Sequence, residues 1–376
     1  MRLAVIGVGH LGRHHARVLA GIEGVQLVAV ADARIEQARA VAEPLGAEAC
    51  SNYRDLLGRV DAVSVAVPTF LHREVAGAFL SEGVHAMVEK PLASSLREAE
   101  ELVDLANQSG ATLQVGHIER FNPILSTLET ARIRPRYITA ERTGTYTFRS
   151  TDIGVVLDLM IHDIDLILSL NSSPVVAVEA LGVSVFGRHE DVANARIKFA
   201  DGCIADLTAS RASFTASRKM RIWGAEGYAT IDFGAKNATI VRPGDKLRRG
   251  EIDTSGVDLT QPSAVRDYLF GKVLRVDKVQ TEGREPLALE LEDFLRAIRS
   301  GTPARVSGED GLKAIRVADA VLQSLHEHAW EGVKGGPKGP FDLPEPMPEP
   351  IAGLPEPKLF RYKGSKVSAP SEGTRG

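Results

Sequence analysis

One stretch near the start constrains this chain more than any other: Val5-Ile6-Gly7-Val8-Gly9-His10-Leu11-Gly12. An apolar run, Leu3–Ile6, leads into the glycines, and a segment of helical periodicity, His10–Ala20, leads out of them. In a strand–turn–helix of this kind Gly7 permits the tight turn and Gly9 lets the backbone approach a pyrophosphate. Gly12 lets the helix pack close on the strand. The helix start, around His10 and Leu11, offers unpaired N–H groups and the positive end of a dipole to phosphates. The next apolar run ends at Asp32, whose carboxylate would accept hydrogen bonds from an adenine-ribose diol and repel a 2′-phosphate. NAD is therefore expected over NADP, with Arg34 as the opposing signal, because a guanidinium there could neutralise such a phosphate. The plainer alternative is a structural turn followed by an acidic strand end.

The surrounding pattern agrees with a dinucleotide fold. Up to about Pro123, short apolar runs (Leu3–Ile6, Leu27–Ala31, Ala62–Val67, Val84–Val88, Leu113–Val115) alternate with helical segments such as Glu98–Ala106, which opens on a capping box at Ser95–Glu98. Continuous apolar strands alternating with helices predict an α/β Rossmann domain, a doubly wound parallel sheet covered on both faces. Ligands bind outside the carboxyl ends of such strands. That rule nominates Pro68, Thr69 and His72 after one strand, and Glu89 and Lys90 after the next, as further cofactor-binding residues.

Beyond about Arg136 the pattern changes to one helix, Gly154–Leu170, then alternating segments with turns at Asp201-Gly202 and Glu226-Gly227, then helices at Pro286–Ser300 and Gly308–Glu331. This predicts an α+β domain with a large open antiparallel sheet. Expected limits are 1–123 for the NAD-binding domain, 124–331 for the substrate and oligomerisation domain, and 332–376 for a tail. Nine of the 19 prolines follow Val333, so that tail reads as extended or disordered chain. A net charge of −4 gives no basic surplus for a nucleic-acid partner. Two cysteines supply neither a disulfide framework nor a cysteine-rich zinc site. The absence of a signal-peptide core or a long apolar run points to a cytoplasmic protein without a membrane partner.

Two elements carry candidate chemistry. Lys90 stands at a strand end, where a lysine is costly unless paired or used, although surface lysines usually snorkel. In the helix that follows, Asp158, His162 and Asp165 are spaced to share one face, with Asp163 pointing elsewhere. A polar stripe in an apolar helix has three explanations: a histidine poised by carboxylates for acid–base work, a structural polar cluster, or a metal site.

Taken together, the glycine loop, Glu89-Lys90-Pro91 and Asp158-x-x-x-His162-x-x-Asp165 resemble the Gfo/Idh/MocA oxidoreductases over roughly residues 1–330. The resemblance implies NAD as cofactor, no metal, and Lys90, Asp158 and His162 as catalytic residues. His162 would be the acid–base group, with Asp165 holding its tautomer. It also implies a sheet whose hydrophobic outer face is covered in a homodimer or homotetramer. The segments Gly116–Pro123 and Val155–Asp165 are similar to a subgroup that oxidises C3 of UDP-N-acetylglucosamine to a ketone. In that subgroup an aminotransferase then makes a 3-amino sugar for lipid A. Arg120, Asn122 and Arg149 then become candidate contacts for a diphosphate or sugar hydroxyls, beside Asp158 and His162, with surface ion pairs as the alternative for both arginines. Two other readings stay open: an inositol or other polyol or monosaccharide dehydrogenase, and a non-catalytic NAD-sensing regulator.

Overall fold

The computed structural model describes residues 1–147, 153–186 and 189–327. Arg149 and the proline-rich tail lie outside these residues. The first sheet has six parallel strands: β1 Arg2–Ile6, β2 Gln26–Ala31, β3 Glu48–Cys50, β4 Ala62–Val65, β5 His85–Glu89 and β6 Leu113–Gly116, in the order β3-β2-β1-β4-β5-β6. Four connecting helices cover its faces: α1 Gly12–Ala20, α2 Ile35–Ala42, α3 His72–Leu80 and α4 Leu96–Ser109. Every residue of β4 is buried, as a strand covered on both sides requires. Only β3 escapes the sequence pattern, being a three-residue edge strand too short to show a period.

After the short helix α5 Ser126–Ala131 the chain enters an eight-stranded sheet. Its strands are β7 Tyr137–Thr143, β8 Val175–Val183, β9 Val192–Phe199, β10 Ile204–Ser210, β11 Ser217–Gly224, β12 Gly227–Asp232, β13 Asn237–Pro243 and β14 Leu274–Gln280. Between β7 and β8 runs α6 Ile161–Leu170, entered through a π-helical turn at Val156–Met160. Two small helices, α7 Asp245–Arg248 and α8 Pro262–Tyr268, link β13 to β14. The sheet is antiparallel except between β7 and β10, which run parallel because β7 is separated from β10 by α6 and a hairpin rather than by a turn.

Alternation explains how this sheet is seated. In β9, Ala193, Ala195, Ile197 and Phe199 point inward and are buried, while Asn194, Arg196 and Lys198 point out. The outer face differs from the hydrophobic one expected. Arg196 makes a two-point ion pair with Asp206 at 2.7 and 2.8 Å, and the Tyr137 hydroxyl donates to the same carboxylate at 2.8 Å. Exposed apolar side chains of this sheet include Val176 and Leu181 of the edge strand β8.

The last two helices, α9 Pro286–Ser300 and α10 Gly308–Glu327, do not simply close the second domain. Leu287, Leu291, Phe294 and Leu295 of α9 join the buried cluster of Leu3, Val5, Val18 and Leu19 on the first sheet. Helix α10 lies between α4, α6 and β8 and stitches the two halves together. The division at residue 123 therefore describes the chain's order but not its packing. No helix among the described residues is long and apolar enough to cross a membrane.

Candidate active site

The three glycines of the first turn meet three different demands. Gly7 has φ +83°, and a Cβ there would lie 2.7 Å from the backbone nitrogen of Val67. At Gly12 a Cβ would lie 1.8 Å from the carbonyl oxygen of Gly7. At Gly9 it would meet no atom of the protein within 4 Å. Protein packing thus requires the outer two glycines, whereas the middle one leaves open the space above the start of α1. Leu11, which precedes that helix, gives it no side-chain cap, so its first N–H groups remain for a ligand.

This space belongs to a cavity of about 770 Å³ lined by Gly7, Gly9, His10, Leu11, Asp32, Arg34, Pro68, Thr69, His72, Glu89, Lys90 and Asp158. Asp32 is held in place by accepting from the backbone N–H groups of Val8 at 3.0 Å and Arg34 at 3.0 Å. The Arg34 side chain is 77 % exposed, and its Nε lies 3.9 Å from Asp32. An open cradle over Gly9, uncapped amides and a fixed strand-end carboxylate fit the pyrophosphate and ribose of NAD. Asp32→Ala should raise the dissociation constant for NADH about ten- to a hundredfold, the worth of a hydrogen bond to a charged group. Fluorescence titration checks this, and an unchanged affinity would remove Asp32 from the ribose site.

His72 serves the walls of the cavity. It is buried, with Nδ1 2.9 Å from the Pro91 carbonyl and Nε2 3.0 Å from that of Val67, tying two strand-end loops together. Glu89 is engaged by His15 Nε2 at 2.9 Å, and His15 Nδ1 in turn meets Ser64 Oγ at 2.8 Å.

Lys90 and Asp158 converge. Lys90 Nζ donates to the Asp158 carbonyl oxygen at 2.7 Å and to its carboxylate at 3.1 Å. Both side chains are only partly buried, at 15 and 21 % exposure, so the ammonium is fixed while remaining within reach of a ligand. His162 stands further along the same helical segment and does not line the cavity. Burial, followed by Lys90, Arg142, His117 and Arg218, holds its imidazole well below the usual histidine range. It is neutral at pH 7 and able to accept a proton.

Three expected placements differ. Asp165 accepts from Arg120 Nε at 2.9 Å, so its carboxylate is engaged by a guanidinium rather than by the imidazole. Asp158 thus engages Lys90, whereas Asp165 engages Arg120. Arg120 lines a separate cavity beside Asp310 and Lys313, away from the glycine loop. Asn122 acts as a cap, its Oδ1 accepting from the Ile124 N–H at 3.3 Å and its amide donating to Glu119 at 3.2 Å.

Several buried polar residues escaped the sequence reading. Arg142 Nη1 bridges Glu119 at 2.9 Å and Nη2 bridges Asp163 at 3.0 Å, locking β7 to α6 beneath the site. Glu290 of α9 is fully buried with neither carboxylate oxygen partnered, and burial, then Glu89 and Asp165, push it well above the usual carboxylate range. His117 is buried with both ring nitrogens unpartnered. A histidine within Gly116–Pro123 was visible in the sequence, but nothing local told its ring from a core one.

Residues 1–117 match the oxidoreductase family, NAD-binding Rossmann fold (GFO_IDH_MocA), and residues 136–333 match its C-terminal alpha/beta domain. The chain belongs to the Gfo/Idh/MocA oxidoreductases. It is an enzyme of that family, and its cofactor is NAD. Among the family's members, the UDP-N-acetylglucosamine 3-dehydrogenase of Acidithiobacillus ferrooxidans is 38 % identical over 86 % of this chain and 96 % of its own length. A solved structure of that Acidithiobacillus protein, GnnA, superposes with a TM-score of 0.75 at 36 % identity, covering 86 % of this chain and 97 % of the other. The myo-inositol 2-dehydrogenase of Thermotoga maritima is 27 % identical over 87 % of this chain and 97 % of its own.

Proposed function

We propose that this Gfo/Idh/MocA oxidoreductase oxidises a sugar hydroxyl to a ketone, with the C3 hydroxyl of UDP-N-acetylglucosamine as substrate. The observation that carries the chemistry is the Lys90–Asp158 pair, which lines the same cavity as the glycine loop and Asp32. The similarity to the Acidithiobacillus enzyme supports the sugar nucleotide. Bound in this cavity, NAD supplies the acceptor for the hydride.

The chain's own residues position the alcohol and move its proton. Lys90 Nζ, steered by Asp158, donates to the alcohol oxygen and stabilises the alkoxide that develops as hydride leaves. His162 Nε2 accepts the hydroxyl proton, and its neutral state suits it to do so. Asp158 also orients the sugar. Arg149 is the proposed diphosphate contact. A second copy of the chain seated on the large sheet, completing a homodimer or homotetramer, and an aminotransferase that consumes the ketone belong to the same proposal.

A panel of UDP-sugars, free monosaccharides and inositols, assayed for NADH formation and for ketone position by NMR, tests the reading. UDP-N-acetylglucosamine should give NADH and a 3-keto product. Turnover of inositol or free sugar alone would transfer the site to the polyol class, for which the Thermotoga relative is the precedent. NADH binding with no turnover of any of them would favour a sensor.

A further inference from the structure

Behind His162 the interior holds polar atoms that the mechanism above leaves idle. His162 Nδ1 is buried without a hydrogen-bond partner, and so are both ring nitrogens of His117. The two rings meet edge to face at 84°, with centroids 6.3 Å apart. His117 directly follows β6 and is 1 % exposed, its backbone N–H bonded to the Val115 carbonyl at 2.8 Å. Buried polar groups are seldom left unpaired, and unpartnered nitrogens on facing rings mark a place for bridging solvent. One water between two nitrogens spans about 5–6 Å, twice a hydrogen-bond length.

The charges around the two rings differ. His162 is faced by Lys90, Arg142, His117 and Arg218, all of which oppose a positive charge. Burial holds His117 below the usual histidine range too, but Asp165 and Glu89 face it as well as Arg120 and Lys90. A proton taken from substrate thus arrives on the ring where it is least tolerated, beside a second ring that anions face.

We propose that His117 is a proton station behind His162, holding the substrate proton across one buried water until the product leaves. The alcohol O–H bond breaks and an Nε2–H bond forms on His162, while the C–H electron pair departs as the hydride already accounted for. The Nδ1–H proton passes to the water, which gives one of its own to His117. When the ketone leaves, the steps run backwards and Nε2 releases the proton to solvent, restoring the starting tautomer. His117 never touches the substrate; it acts through His162, and the inference rests on His162 being the base.

The test uses the full chain with His117→Phe, which keeps the volume, and His117→Ala, which opens a space for imidazole. Both should bind NADH within twofold of the parent and lose at least tenfold in kcat at unchanged KM, and added imidazole should restore turnover to His117→Ala. In the unsubstituted protein without cofactor, ¹⁵N-histidine NMR should show His162 Nδ1 exchanging protons with a bound water and changing its shift as His117 titrates. A kcat within threefold of the parent overturns the proposal, as does a loss that imidazole leaves untouched in a folded, NADH-binding variant. Should both variants misfold, NMR of the unsubstituted protein decides, and a His162 Nδ1 without water exchange overturns it. If His162→Ala keeps its turnover, the underlying mechanism fails instead; if His162→Ala is inactive and the His117 variants run at full rate, only the station fails.

Discussion

Replacing His162 with alanine should lower kcat about a thousandfold while leaving NADH affinity within twofold. The size follows from the worth of a positioned acid–base group, roughly two to four orders of magnitude in rate. The selectivity follows from position, since the glycine loop and Asp32 line the dinucleotide cavity and His162 does not. The sign of the pH dependence can be worked out as well. Burial, followed by Lys90, Arg142, His117 and Arg218, holds the imidazole well below its usual range, so the base stays unprotonated as the medium is acidified through about pH 6.5. The kcat/KM for alcohol oxidation should therefore stay level through that pH, with any limb from this residue appearing only at lower values. Stopped-flow and steady-state NADH assays check both statements. A variant retaining a tenth of the parent turnover would remove His162 from the reaction.

Alanine at Gly9 and at Gly12 should fail in opposite ways. At Gly12 the new methyl would sit 1.8 Å from the carbonyl oxygen of Gly7, with backbone rather than a flexible side chain in the way. The strand–helix turn must then open, and we expect a loss of several kcal/mol, in the range of overpacked cores or above it. For a domain pair of this size that lowers the Tm by roughly 5–10 °C, and NADH binding is lost with it. At Gly9 the methyl meets no protein atom within 4 Å, so the Tm should stay within about 1 °C of the parent. NADH affinity should nevertheless fall at least tenfold, because the methyl enters the space a pyrophosphate would occupy. Calorimetry and NADH titration of the two variants separate the outcomes. Tight NADH binding by Gly9→Ala would mean that the cofactor lies elsewhere.

Much of this was legible where the information is local. The glycine turn, its Asp32 partner and the runs of β-branched residues each lie within one supersecondary unit, and the structure reproduces them almost residue for residue. Inward and outward alternation in β9 was equally plain. What could not be read is pairing over distance. The partner of Asp165 is Arg120, 45 residues back, and Arg142 draws Glu119 and Asp163 together from either side. Helical spacing alone put Asp165 beside His162, and it carries no sign of the distant arginine that takes the carboxylate. His117 and Glu290 were hidden for another reason. A buried, unpartnered polar atom is a property of its surroundings, and a single sequence does not display those.

Helix α9 bears on how the protein is made. The apolar face it covers is formed mostly from the first thirty or so residues, yet α9 itself begins at Pro286. A ribosome adding about 5–20 residues per second therefore presents that face uncovered for many seconds. Loop closure across the intervening chain is a late event, and the amino-terminal half emerges as an unfinished surface on which chaperones or neighbouring nascent chains can act. Truncation before α9 would leave a soluble-looking sequence with a sticky product.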